Sequence, residues 1–165
     1  AMAAFIANNV IKKMIQADQN VKTANIYIMG ITFKEDCPDT RNSKAIEICK
    51  HLAGYGIQVK VVDPFIDDSA DRQDFAFPTV PLTAVKHADC LVFLVAHQQF
   101  KDLKPSDLVK MCGQSQQDLA KVIIDIKSIF DRKTLAGQGF SYWSLWTRSD
   151  ACEKQNGADG SCIVT

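Results

Sequence analysis

Gly30-Ile31-Thr32-Phe33-Lys34-Glu35-Asp36-Cys37-Pro38-Asp39-Thr40-Arg41-Asn42-Ser43-Lys44 is the stretch on which the fold turns. An apolar run, Asn25-Ile26-Tyr27-Ile28-Met29, precedes it and reads as a strand. After it, Asn42 or Ser43 can cap a helix whose apolar face is Ile46, Cys49, Leu52 and Ala53, and Gly54-Tyr55-Gly56 ends that helix. Gln58-Val59-Lys60-Val61-Val62-Asp63 reads as a second strand closed by Pro64. Strand, helix and strand in this order make a βαβ unit, with parallel strands and a right-handed crossover. The loop between strand and helix is rich in charge and poor in glycine. Read from its residues alone it is either a solvated loop with a helix cap or one that would contact a ligand through side chains, unlike a glycine loop that cradles phosphate with backbone N–H groups.

The same alternation continues outward. Ala3, Ile6, Ala7, Val10, Ile11, Met14 and Ile15 form an apolar stripe at helical spacing, starting without a cap, as in a helix entered part-way along. Residues 65–81 carry acids and two prolines, Pro78 and Pro81, and read mostly as loop. Leu82–Ala88 suggests a short helix, and Cys90–Ala96 a strand buried on both faces. Pro105 suits the first turn of a helix through Leu108, Val109 and Met111. Lys121–Lys127 gives a fourth strand and Tyr142–Leu145 a short edge strand. The expected fold is three-layer αβα around a mostly parallel, Rossmann-like sheet, preceded by the end of a long helix. Trp146–Thr165 is polar and aperiodic and is expected to be a poorly packed tail.

Composition narrows the function. The chain has 165 residues, 47% apolar and 23% charged, with zero formal net charge, which suits one globular domain. No basic block points to nucleic acid or an anionic membrane, and no apolar run approaches the ~20 residues of a spanning helix. Cys37, Cys49, Cys90, Cys112, Cys152 and Cys162 show no Cys-x-x-Cys pair and no histidine at zinc spacing, so reduced thiols and a cytoplasmic setting are expected and a metal is not. His51, His87 and His97 read as surface or helix-end residues.

The Phe33–Lys44 string closely resembles the signature that opens the C-terminal, UDP-binding domain of the nucleotide-sugar 6-dehydrogenases, and its wording is most similar to the branch acting on UDP-N-acetylhexosamines. The resemblance covers roughly Ala7 to Leu145. It implies that residues 1–20 are the end of a central dimerisation helix, 21–145 the UDP-sugar-binding domain and 146–165 a tail. It further implies a longer parent that oxidises C6 of a UDP-N-acetylhexosamine with NAD, for capsule or O-antigen synthesis. In that parent an N-terminal domain holds the NAD, a central region carries the nucleophile, and a homodimer or higher oligomer forms. No catalytic residue is then expected in this chain. The competing expectation is a stand-alone, non-catalytic nucleotide-binding or regulatory α/β module.

Individual residues follow. Lys34 lies just beyond the first strand, where a parallel sheet opens toward its ligand, and an ammonium suits a phosphate oxygen. The resemblance assigns Phe33 and Lys34 to substrate. Arg41 offers a planar fork for pyrophosphate, and by resemblance it reaches the dinucleotide held by the other domain; it can equally brace the loop through Asp36 or Asp39. Ser128-Ile129-Phe130-Asp131-Arg132 follows the fourth strand, and the resemblance nominates Arg132 for substrate binding. Asp36 and Asp39 are expected to orient neighbours, and Cys37 is not the nucleophile. Asp63 imitates the acid that binds a dinucleotide ribose, but no G-x-G-x-x-G accompanies it, so Asp63-Pro64 is expected to shape the strand exit.

Overall fold

The computed structural model describes residues 1–41, 43–66, 77–113 and 119–145. Helix α1 (Met2–Gln16) is followed by strand β1 (Ile26–Met29), helix α2 (Lys44–Gly54) and strand β2 (Val59–Val62). Strand β3 (Cys90–Phe93) leads to the short helix α3 (Gln98–Lys101) and to α4 (Pro105–Cys112). Strand β4 (Val122–Asp125), helix α5 (Arg132–Gly137) and strand β5 (Ser141–Ser144) complete the described order.

All five strands pair in parallel in the order β2-β1-β3-β4-β5. β1 is aligned with both neighbours, Ile26 facing Val59 on one side and Cys90 on the other. The chain thus builds outward from β1 to β2 and then restarts at β3 on the opposite side of β1. That reversal opens a crevice at the carboxyl ends of β1 and β3.

The three layers follow from which residues alternate to each side. Ile26, Ile28, Val59, Val61, Cys90, Val92, Val122 and Ile124 pack beneath α1 and α2, with Ala3, Ile6, Ala7, Val10, Met14, Ile48, Cys49 and Leu52 from the helices. Tyr27, Met29, Leu91, Phe93 and Ile123 face the other way, against Phe100, Leu108, Met111 and Leu135. β1, β3 and β4 are buried along their whole length, which is why they read as unbroken apolar runs. The thiols of Cys49 and Cys112 are pushed up to about 12 by burial, and that of Cys90 is also raised, so these cysteines act as small hydrophobes. Among the described residues no helix is long and apolar enough to cross a membrane, and no cluster of His, Cys, Asp or Glu could hold a metal ion.

Several expectations are corrected. Leu82–Ala84 is a 3-10 turn, not a helix reaching Ala88, because Val85 is already extended and His87 adopts a positive φ of 52°. The third strand ends at Phe93; Leu94 N still donates to Met29 O at 3.0 Å, and Leu94–Ala96 stay buried beyond the last paired residue, so the end of the apolar run reported burial more than pairing. The fourth strand is likewise shorter, Val122–Asp125, and the edge strand is shifted to Ser141–Ser144. Ser43 is the cap of α2, its Oγ accepting from Ala45 N at 3.2 Å, while Asn42 and the 146–165 tail lie outside the described residues. The 65–81 segment is described only at its ends, where Thr79 forms a parallel bridge with Val61.

Gly30 shows how tightly β1 turns into its loop. It sits at φ +95°, and a Cβ there would meet Val95 Cβ at 2.6 Å. Gly30→Ala is expected to destabilise the fold by about 2–4 kcal/mol, combining a left-handed backbone penalty with overpacking. Urea unfolding measures it; Gly54→Ala, where a Cβ meets nothing within 4 Å, is the matched control and is expected to cost nothing.

Candidate functional site at the strand carboxyl ends

A cavity of about 330 Å³ lies where the sheet topology opens. The β1 loop contributes Phe33 and Lys34, the α2 start Lys44, the β3 exit Leu94 and Val95, and the β4 exit Lys127. Its interior is apolar, with Ile6, Ile48 and Ile126, and its lysines project from exposed positions. Phe33 is 60% exposed, an aromatic face unusual for a folded core residue. A ligand with a flat ring and an anionic chain fits that chemistry: apolar walls for the ring, ammonium groups for the charge. Two larger depressions exist, one over the outer face of α2 and one beside β2, but neither joins the β1 loop to the β3 exit.

Behind the cavity, Asp63 and His97 tie the strand ends together. Asp63 Oδ2 accepts from Ile31 N at 2.8 Å, from Thr32 N at 3.2 Å and from His97 Nε2 at 3.0 Å. Its Oδ1 accepts from Phe65 N at 2.9 Å. Burial by itself would raise this carboxyl, but the bonds from His97 and the backbone outweigh it and hold Asp63 below the ordinary carboxylate range. His97, expected at the surface or at a helix end, is fully buried yet does stand at a helix end, as the N-cap residue of α3, with Phe65 and Phe100 rings at 5.1 and 5.4 Å. The reason is the exit of β3: Ala96 is still interior, and α3 begins only at Gln98. Nothing in a lone histidine after an apolar strand announces a buried, bonded ring; the signal was its pairing with the aspartate that follows β2, two strands across the sheet.

The other nominated residues separate. Arg41 forks onto its own loop, Nε to Asp39 Oδ1 and Nη2 to Asp39 Oδ2, both at 3.1 Å, with its side chain 82% exposed. This hydrogen-bonded pair lowers the Asp39 carboxyl. Asp36 instead accepts from Gln98 N at 3.0 Å. Arg132 begins α5, capped by Asp131, and its guanidinium lies 5.9 Å from the Tyr142 ring centroid. It does not line the cavity, since α5 covers the opposite face of the sheet from α1 and α2. Tyr142 in turn donates to the buried Asp125 at 2.7 Å, and burial together with that carboxylate raises its hydroxyl pKa, keeping it a donor. Lys44 and Lys127 are the cavity residues that sequence reasoning missed; both follow strand or cap signals and look like any solvated lysine.

Matching the chain to known families identifies residues 27–132 with the UDP binding domain of the UDP-glucose/GDP-mannose dehydrogenase family. The chain belongs to that family. Protein CapL of Staphylococcus aureus is 35% identical over 136 residues, 81% of this chain and 30% of that protein. The UDP-N-acetyl-D-glucosamine 6-dehydrogenase of Salmonella typhi is 36% identical over 109 residues, 65% of this chain and 25% of the enzyme. The solved NDP-N-acetyl-D-galactosaminuronic acid dehydrogenase from Methanosarcina mazei Go1 superposes with a TM-score of 0.75 at 22% identity, over 87% of this chain and 29% of that one, which bears on the fold alone. The chain therefore spans about 30% of the length of such relatives. A family of dehydrogenases implies a dinucleotide, and the described residues do not build a site for one: Asp63 spends its oxygens on Ile31, Thr32, Phe65 and His97, leaving no ribose ligand.

Because Asp63 is held below its ordinary range, the folded protein binds fewer protons than the unfolded chain near pH 4. The stability it contributes is complete above the unfolded value of about 3.9 and is lost as pH falls toward the folded one. Asp63→Asn is expected to unfold more easily at pH 7, by about 1–3 kcal/mol, since an amide N–H would face backbone donors. Its stability should also fall less steeply between pH 5 and pH 3, and urea titrations across that range check both effects.

Proposed function

We propose that this chain forms the UDP-binding wall of the sugar-nucleotide site in an NAD-dependent UDP-N-acetylhexosamine 6-dehydrogenase, as the C-terminal domain of a longer parent. The observation that carries the reading is the cavity at the carboxyl ends of β1, β3 and β4, apolar within and bordered by Lys34, Lys44 and Lys127. Uracil packs against the apolar wall and Phe33, and the pyrophosphate meets the lysines. Arg132, outside this cavity at the start of α5, meets the part of the substrate that extends beyond it, and Arg41 turns its fork to the NAD held by another domain. The names of relatives such as the UDP-N-acetyl-D-glucosamine 6-dehydrogenase of Salmonella typhi support the N-acetylhexosamine branch, and the Phe33–Lys44 wording agrees with it. α1 then corresponds to the end of the central helix through which the parent dimerises, in the cytoplasm, on a route to capsule or O-antigen polysaccharide.

The nucleophile lies outside these residues, so this chain by itself is expected to reduce no NAD with any UDP-sugar; a spectrophotometric assay checks it. It is expected to bind UDP weakly, because part of the enclosure belongs to the rest of the parent. In NMR titrations the shifts should cluster on Phe33, Lys34, Lys44 and Lys127, and shifts confined to the outer face of α2 would refute the assignment.

In the parent enzyme, Lys34→Ala should raise the KM for UDP-sugar and leave that for NAD, since a phosphate contact made equally in ground and transition states is uniform binding. Arg41→Ala should do the reverse. Each loss of a charge-assisted hydrogen bond is expected to cost roughly ten- to a hundredfold. If both variants weakened one substrate and spared the other, the loop would serve a single ligand.

A further inference from the structure

The β1 loop has to hold Lys34 toward the cavity without glycine-loop backbone geometry and without secondary structure of its own. Its internal bonds are sparse: Phe33 N donates to Asp39 O, and Thr32 Oγ1 donates to Lys34 O at 3.1 Å. Asp36, a non-glycine residue, sits in the left-handed region at φ 53°. Such a conformation persists only where surrounding bonds impose it.

Those bonds converge on His97. Asp36 N donates to His97 Nδ1 at 2.9 Å, so that nitrogen has to carry a lone pair. Gln98 N returns a bond to Asp36 Oδ1 at 3.0 Å, closing a reciprocal clasp between the loop and the β3 exit. His97 Nε2 lies 3.0 Å from Asp63 Oδ2 and 3.1 Å from Thr32 Oγ1. Thr32 spends its hydroxyl proton on Lys34 O, so its oxygen faces the ring as an acceptor. Both neighbours of Nε2 are acceptors, which fixes the proton there. Of the two tautomers, the Nε2-protonated one satisfies every hydrogen-bond partner: a proton at Nδ1 would face the Asp36 N–H at 2.9 Å, while the Asp36 carboxylate stands off at 3.8 Å.

We propose that His97, in its Nε2–H tautomer, is the positioning residue of the substrate loop, bracing it on both sides of Lys34: through Thr32 and the Lys34 carbonyl at one nitrogen, through the Asp36 amide at the other. The groups around the ring are Thr32 and Asp36 from the β1 loop, Asp63 and Phe65 from the β2 exit, and Phe100 from α3. Asp63 acts on the loop directly, through Ile31 N and Thr32 N, and indirectly by orienting the imidazole. His97 touches no ligand; its part is to present Phe33 and Lys34 to one.

The experiment uses the full chain, labelled with nitrogen-15. A long-range proton–nitrogen spectrum of the imidazoles, with the His97 signals assigned through bonds after additional carbon-13 labelling, is expected to show a bare Nδ1 and a protonated Nε2 at neutral pH. A protonated Nδ1 overturns the proposal, and this reading needs no variant to fold. His97→Asn keeps an acceptor near the Nδ1 position, and His97→Gln keeps a donor near Nε2. The Asp36 amide signal should therefore survive near its wild-type position in His97→Asn and move, together with those of Phe33 to Asp39, in His97→Gln while strand signals stay. An unmoved Asp36 amide in His97→Gln overturns the proposal.

The ligand arm rests on the UDP reading above and is separable from it. UDP affinity should fall about tenfold in His97→Gln, the equivalent of one net hydrogen bond's worth of loop ordering, about 1.4 kcal/mol. Equal UDP affinity in wild type and His97→Gln overturns the positioning role. A wild-type chain that binds no UDP at all refutes the UDP reading alone, and the tautomer and the Asp36 amide then decide the role of His97.

Discussion

A single buried carboxylate, Asp63, holds the working end of this molecule together. It belongs to the exit of β2, yet it accepts backbone N–H groups from the exit of β1 and the imidazole from the exit of β3. A carboxylate at 6% exposure would be costly alone; four hydrogen-bond donors around its two oxygens make it tolerable. The consequence is geometric. Parallel strands leave a sheet with diverging backbones whose N–H groups have lost their ladder partners, and here those orphan donors are gathered onto one anion. The same device recurs in Asp125, which accepts from Ile129 N, Phe130 N and Tyr142, and at the opposite end of the sheet in Asp89, which accepts from Asn25 N and Lys121. Anions placed at strand ends thus fix where loops begin, and the loops then carry the binding chemistry.

The layered α/β architecture was readable because its strongest signals are local. Ile26–Met29, Val59–Val62 and Val122–Asp125 are β-branched or apolar runs bounded by turn residues, and the stripe of α1 has helical spacing. What escaped was decided by tertiary packing. α3 and α5 are too short for periodicity to register, although Asp131 ahead of Thr134 is a capping pattern that points to α5. Val95 and Ala96 look like strand because they are buried, and burial at a sheet's carboxyl edge does not require pairing.

The site was legible in the same uneven way. Lys34 and Phe33 follow a strand in a string too ordered to be an arbitrary loop, and the cavity does open against them. Lys44 closes that same string but was not singled out within it, and Lys127 has no string; they line the cavity because α2 starts, and β4 ends, beside the β1 loop. His97 could be located only through its partners, which stand 34 and more positions away in sequence. Long-range hydrogen bonds of this kind leave no periodic trace, and a residue whose neighbours come from three strand exits is the hardest to place from one chain alone.

The two arginines illustrate how such a surface prepares for a ligand without enclosing it. Each guanidinium is already oriented by a neighbour: Arg41 by both oxygens of Asp39, Arg132 by the face of Tyr142, whose hydroxyl is fixed on Asp125. Long side chains lose rotamer freedom on binding, and a group held beforehand loses less. The two braces differ in kind. Asp39 competes for the same donors that an incoming anion would use, but in an exposed, water-screened position such a pair is weak and exchanges readily. Tyr142 meets Arg132 through its ring face, a contact that does not itself use the guanidinium N–H donors. On the reading proposed above, Arg41 would have to exchange Asp39 for an anion on binding, whereas Arg132 would keep its ring contact.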